Sequence, residues 1–172
     1  MVAGRTKDFA RILILGNSGS GKSWLSRELG ERLKIAAIDL DTVHWELESF
    51  QVARDKDSAR AIVRQIASQD IWIMEGVYGW LAQEILSRAT ALIWLDMPLE
   101  DCLDNLRRRG LNPGSDEKSF AALLAWTATN QERQTSSSSV GHRRLFTAFR
   151  GWKRCMCSRQ ETREFLAGIK RA

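Results

Sequence analysis

No run of apolar residues in this chain is long enough to cross a bilayer. The longest, such as Ala89 to Leu95, stop far short of the roughly 20 residues a spanning helix requires. No basic segment followed by an apolar stretch opens the sequence, so a soluble, cytoplasmic protein with no membrane partner is expected. Histidine is scarce: only His44 and His142 occur, and no zinc-type spacing joins them to the cysteines. The three cysteines are an odd number. Cys155 and Cys157 lie two apart in an expected strand, are poorly placed to bond each other, and read as reduced core thiols. Internal repeats are absent, and the one serine-rich run is too short to separate two cores.

What is present is a chain of 172 residues with 44% hydrophobic content, enough for one globular domain with a substantial core. The formal charge of +5 suits an acidic partner: a nucleotide, a phosphorylated substrate or a nucleic acid. Charge alone does not choose among them.

Apolar stretches and helical periods alternate along the chain. Strands are expected at Arg11–Leu15, Ile35–Leu40, Ile71–Glu75, Ala91–Leu95 and Lys153–Cys157. Between them, helices are expected at Lys22–Lys34, Asp55–Ser68, Leu81–Leu86, from Pro98 to about Arg109, at Ser119–Arg133 and at His142–Phe149; the chain closes on an amphipathic helix carrying Phe165, Leu166 and Ile169. This alternation predicts an α/β fold with a mainly parallel sheet covered on both faces. The loop-like Gly110–Asp116, the helix after it and the polar run Gln134–Ser139 read as a cover, so one domain spanning 1–172 with a lid at about 108–140 is expected.

The most specific signal is Gly16-Asn17-Ser18-Gly19-Ser20-Gly21-Lys22-Ser23, which fits G-x-x-x-x-G-K-[ST] and falls between an expected strand and an expected helix. Glycines let the backbone close around phosphate, so successive N–H groups and the positive helix end point at the anion. Lys22 then bridges the β- and γ-phosphates, and the Ser23 hydroxyl ligates Mg²⁺. Trp24 places a bulky ring immediately after the loop, where it changes the contacts near the α-phosphate.

Ligands of open parallel sheets bind beyond the carboxyl ends of the strands, which directs attention to Asp39, Asp41, Glu75 and Asp96. The spacing of Asp39 and Asp41 lets one carboxylate assist Mg²⁺ while the other orients an acceptor hydroxyl; a solvated turn with a helix cap at Asp41 is the structural alternative. Glu75 suits either a substrate or metal-water contact or a purely structural role, and Asp96 reads as a cap or turn. Arginines on a closing segment are expected for phosphoryl transfer, and Arg107, Arg108, Arg109, Arg133, Arg143 and Arg144 are the candidates; a solvated basic face is the alternative for each. Trp45 and Trp80 are placed to line an acceptor pocket, and His44 suits either a substrate contact or a packed or exposed histidine with no partner, whereas Trp72, Trp94 and Trp152 read as core.

With these residues in view, the chain resembles P-loop kinases of the adenylate-kinase-like group, and most closely the topology modulation (FlaR-like) proteins. The matching segments are Gly16–Ser23, Leu40–Trp45, Trp72–Tyr78, Ile93–Pro98 and Ser158–Leu166. The resemblance implies a P-loop three-layer sandwich with a five-stranded parallel sheet and a small helical lid, with ATP and Mg²⁺ as cofactors. It also implies that Asp41 and Glu75 face the acceptor and that Arg107 to Arg109 face the nucleotide. The Asp39-x-Asp41 pair is similar to that of shikimate and gluconate kinases, although the glycine-rich acceptor motif of shikimate kinases is absent at Glu75–Val77. The expected activity is transfer of the γ-phosphoryl of Mg-ATP to a nucleotide or small hydroxyl metabolite. The alternatives are an ATP-binding regulator associated with DNA, for which no nucleic-acid-binding motif is found, and a simple nucleotide hydrolase.

Overall fold

The computed structural model describes residues 9–46, 49–111 and 115–170, with side chains for all of these except 49–51. Five parallel strands form the main sheet: β1 (Arg11–Gly16), β2 (Ala37–Asp39), β5 (Trp72–Gly76), β6 (Ala91–Leu95) and β7 (Trp152–Met156), in the spatial order β2-β5-β1-β6-β7. A separate antiparallel hairpin pairs β3 (Trp45–Glu46) with β4 (Ser49–Ala53). The helices are α1 (Lys22–Leu33), α2 (Asp41–His44), α3 (Lys56–Ala67), α4 (Gly79–Ile85), α5 (Leu99–Arg109), α6 (Glu117–Ala128), α7 (Ser139–Ala148) and α8 (Arg159–Ala167).

Period-two alternation splits the central strand between two cores. Leu13 and Leu15 of β1 join Met74 and Leu92 under α3, α4 and α7, while Ile12 and Ile14 join Ile73 and Ile93 under α1, α5 and α8. Both faces are therefore covered, and each fully buried Leu or Ile contributes about 1.5–3 kcal/mol relative to exposure. Because β1 lies between β5 and β6, the chain reverses its direction of progress across the sheet at β1, and the turn leaving β1 opens at the crevice where ligands of such sheets bind.

Several boundaries differ from the sequence expectation. The second strand is three residues long, because Lys34 turns left-handed (φ 58°) and Ile35 donates its N–H back to the Gly30 carbonyl, which uses Ile35 to end α1. The helix expected at Ser119–Arg133 runs from Glu117 to Ala128, started by the Asp116 carboxylate accepting from Ser119 N–H. Helix α7 begins three residues before the expected His142, capped by Ser138, so the serine run is partly helix start. Trp152 is half-buried rather than core, set edge-on to Phe9 with ring centres 4.8 Å apart. The β3–β4 hairpin was not expected, since no Gly or Pro marks it. Residues 47–48, and residues 112–114 of the expected loop and lid, lie outside the described residues.

Candidate nucleotide and acceptor site

The loop after β1 is shaped by left-handed glycines, Gly19 (φ 74°) and Gly21 (φ 95°). Gly19 is constrained twice, because a Cβ there would lie 2.2 Å from the Cys102 carbonyl oxygen of α5. Gly19→Ala is therefore expected to lower stability by about 2 kcal/mol or more. Gly21→Ala, with the same backbone sign but open space around it, is expected to cost less; urea unfolding of the two variants checks the order.

Within the loop, Asn17 organises its neighbours. Its side-chain oxygen accepts from Ser18 N–H (2.9 Å), its carbonyl accepts from Ser20 N–H (3.2 Å) and Lys22 Nζ (2.9 Å), and its amide donates to the Thr127 carbonyl of α6 (3.1 Å). From α5, Asn105 donates to the Gly19 carbonyl (2.8 Å). Lys22 is buried, and the buried Ser20 hydroxyl has no partner among the described residues. No acidic residue occupies the first turn of α1, so its positive end is not neutralised. A polar cradle of N–H groups, an unpaired hydroxyl and a buried ammonium fits a phosphate chain.

Three carboxylates gather at the neighbouring strand ends. Asp39 closes β2 in register with Glu75 of β5, and Asp39 Oδ1 accepts from Asp41 N–H at 2.8 Å. Burial, and then the charges of Glu75 and Asp41, push Asp39 up to about 7, against the opposing pull of the Asp41 N–H and Lys22. Glu75 is itself buried. Ser23, Asp39 and Glu75 line one cavity of about 590 Å³, together with Arg27 and Lys34. Oxygen donors crowded until one resists ionisation, beside the Ser23 hydroxyl, fit a hard divalent cation.

Next to them stands an aromatic cluster. Tyr78 donates to Asp41 Oδ1 (2.5 Å), and burial and Asp41 hold its phenol well above the usual range, so it stays a neutral donor. His44 stacks on Tyr78 with ring centres 4.3 Å apart, meets Trp45 edge-on at 4.5 Å and faces Trp80 at 6.0 Å. Burial lowers the His44 pKa against the pull of Asp41. Arg54 holds this corner, donating to the carbonyls of Val43 and Trp45 at 3.2 Å each.

No model of a known protein family matches the chain. Among curated proteins, the "Uncharacterized protein YqaC" of Bacillus subtilis (strain 168) is 32% identical over 127 residues, spanning 68% of this chain and 70% of that protein. The chain belongs to the YqaC family. Solved structures with the same fold include the shikimate kinase of Acinetobacter baumannii in complex with shikimate (TM-score 0.58, 16% identity, 95% of this chain and 94% of that one). A gluconokinase of Sinorhizobium meliloti 1021 is similar at TM-score 0.54 and 17% identity, over 94% and 92% of the two chains. At these identities the likeness concerns the fold, the P-loop kinase sandwich with its five-stranded parallel sheet.

In this YqaC-family chain, the residues expected from sequence are not all gathered in one place. Gly16 to Ser23, Asp39, Asp41 and Glu75 share the crevice at the ends of β1, β2 and β5. Trp24 is 38% exposed on α1. Arg107 is exposed and paired with Asp104 one turn back (3.0 Å), and Arg109 is exposed at the end of α5. Arg133 is engaged by Trp126 of α6, its guanidinium 3.8 Å from the Trp126 ring centre and donating to the Trp126 carbonyl. Cys157 is exposed, which corrects its reading as a core thiol: it follows the last residue of β7 and so lies past the end of the strand.

Sequence reasoning missed Asn105, Arg27 and Arg159, which donates to Asn105 Oδ1 at 2.6 Å. None carries a motif signal; their positions come from packing of α1, α5 and α8. His142 was also unassigned. It is buried, hydrogen-bonds through Nε2 to the Val77 carbonyl at 2.8 Å, and burial lowers its pKa from 6.5 to about 4. It therefore stands neutral, with Nε2 as the donor that fixes the turn after β5.

Above pH 6.5 both folded and unfolded states are neutral at His142. Between 6.5 and 4 only the unfolded chain takes up the proton, so stability falls as pH falls through that window. At about 1.4 kcal/mol per unit, the advantage of the native chain over His142→Gln is expected to shrink by about 3 kcal/mol between pH 7 and pH 4, measured by urea unfolding.

Proposed function

We propose that the chain is a phosphotransferase that moves the γ-phosphoryl of Mg-ATP to a nucleotide or another small hydroxyl-bearing acceptor. The observation that carries this reading is the meeting of a phosphate-binding loop, with buried Lys22, and the carboxylates Asp39, Asp41 and Glu75 at one end of the sheet. The fold shared with kinases of small metabolites supports it, and the matching segments around Asp41 and Glu75 favour the topology modulation branch of the adenylate-kinase-like group. The reading includes a cytoplasmic location and a single domain over 1–172, with a lid at about 108–140.

In this reading the N–H groups of Gly16 to Ser23 cradle the phosphates, Trp24 flanks the nucleotide, and Lys22 leaves the Asn17 carbonyl to bridge the β- and γ-phosphates. Ser23 and Asp39 hold the magnesium ion, which when bound neutralises charge on the phosphate oxygens. Asp41, oriented by Tyr78, positions the acceptor hydroxyl and accepts its proton as the acceptor oxygen bonds to the γ-phosphorus and the bond to the ADP oxygen breaks. Glu75 holds the acceptor, and Trp45 and Trp80 flank it. Arg107 and Arg109 close over the phosphates with the lid and exclude water.

The test is ADP release from Mg-ATP across a panel of nucleoside monophosphates, nucleosides and small hydroxyl metabolites, with Lys22→Ala as control. Stimulation by one acceptor, lost in the variant, supports the kinase and names its substrate. ATP binding without stimulated turnover by any acceptor sinks it in favour of a nucleotide-responsive regulator.

A further inference from the structure

At the opposite end of the same strand edge, three side chains left out of the phosphotransfer site meet. The Asp96 carboxylate and the thiols of Cys155 and Cys157 each present a ligand atom within 4.8 Å of the others. The two sulfurs are 4.0 Å apart. Tetrahedral zinc at about 2.3 Å from each thiolate would separate two sulfurs by about 3.8 Å, so the pair needs only a small contraction to close on a metal.

The backbone builds this spacing. Cys155 and Cys157 are two residues apart in extended chain, which sends their side chains to one side. Asp96 follows β6, and its N–H donates to the Met156 carbonyl (3.0 Å), which holds the carboxylate against the thiols from the neighbouring strand. The adjoining carboxyl ends of two parallel strands thus supply all three atoms, Cys155 from within β7 and Asp96 and Cys157 from the residues that follow β6 and β7.

We propose that Asp96, Cys155 and Cys157 form a binding site for zinc or another thiophilic divalent cation, with a fourth position open to solvent. Two thiolates and one carboxylate select a soft cation over magnesium. With both thiols deprotonated, three negative charges meet the two of the metal, and Arg143, whose guanidinium lies 3.8 Å from Asp96 Oδ2, balances the remainder. The Glu161 carboxylate accepts the Cys157 N–H (2.9 Å) and steadies that ligand from outside. Cys157 is exposed, which gives the ion a path in. A disulfide fits less well, because two residues of extended chain separate Cα atoms by about 6.6 Å, at the far limit of disulfide geometry. Asp96 follows β6, three strand spacings or about 14 Å from β2, and Cys155 lies on β7 one strand further, so this site is separate from the one at Asp39.

The test uses the full chain kept reduced by a phosphine, with Co²⁺ titrated in the presence of excess Mg²⁺. The expected result is a thiolate-to-cobalt charge-transfer absorption that saturates at one equivalent and is displaced by Zn²⁺. It should vanish in Cys157→Ser, an exposed position whose variant should keep the native metal-free melting temperature. Asp96→Asn should weaken binding by about 10-fold or more. Absence of the band would overturn the proposal, as would an undiminished band in Cys157→Ser, because the thiolate would then come from Cys155 or Cys102 without the paired site.

Discussion

Lys22→Ala is expected to reduce acceptor-dependent ADP release by about 10²–10³-fold or more, the range measured when one positioned donor is removed from a charge-stabilising site. Phosphoryl transfer leaves the protein little covalent work, so catalysis rests on position and positive charge, and a buried ammonium beside the loop supplies both. Burial strengthens its field, because less water surrounds it. Nζ donates to the Asn17 carbonyl at 2.9 Å, a bond within the loop rather than between core elements. The variant should therefore fold, and its melting temperature with and without Mg-ATP separates lost binding from lost folding. Lys22→Arg should not restore activity, because the longer planar guanidinium does not fit where an ammonium already sits buried. Turnover unchanged in Lys22→Ala would remove the basis of the proposed reaction.

Asp39→Asn is expected to make the nucleotide-free protein more stable while abolishing Mg²⁺-dependent turnover. Burial and the neighbouring charges of Glu75 and Asp41 raise the Asp39 pKa from 3.8 to about 7. Below pH 3.8 the group is protonated in both states and carries no penalty. Between 3.8 and 7 the unfolded chain ionises while the folded one resists, so stability falls as pH rises, and above 7 the whole penalty is present. At about 1.4 kcal/mol per unit the penalty reaches about 4 kcal/mol as an upper bound, and the neutral amide removes most of it. Urea unfolding at pH 8 should show the variant more stable than the native chain, with the difference narrowing toward pH 4. Saturating Mg-ATP should narrow it from the other side, since a bound cation relieves the same crowding. Equal stability of the two chains at pH 8 would contradict the crowding at Asp39. His142 acts in the opposite sense between pH 6.5 and 4, so the two effects are best read as differences from their own variants.

Asp39 and His142 also illustrate what a sequence conveys. That Asp39 ends a strand is legible from Ala37-Ile38-Asp39, because an apolar run closing on an acid marks a carboxyl edge. That Glu75 stands beside it is not, since the register Asp39↔Glu75 joins residues 36 apart and depends on β5 inserting between β2 and β1. His142 carried no motif, and its bond to Val77 arises only when α7 packs against the turn after β5. The hairpin at 45–53 was missed for a different reason: its strands are short and no glycine or proline marks the turn.

The phosphate loop and the parallel sheet covered on both faces are legible in the residues themselves, because each depends on local spacing. Glycines at fixed offsets, alternation of two along strands and a period of 3.6 along helices are all written within a dozen residues. Which side chains come together is set by the tertiary structure: Asp39 lines a cavity with Glu75 and Ser23 toward one edge of the sheet, and Asp96 meets Cys155 and Cys157 toward the other. Strand order is a global choice, made by how helices cover both faces of the sheet, and it brings together residues that no local pattern connects.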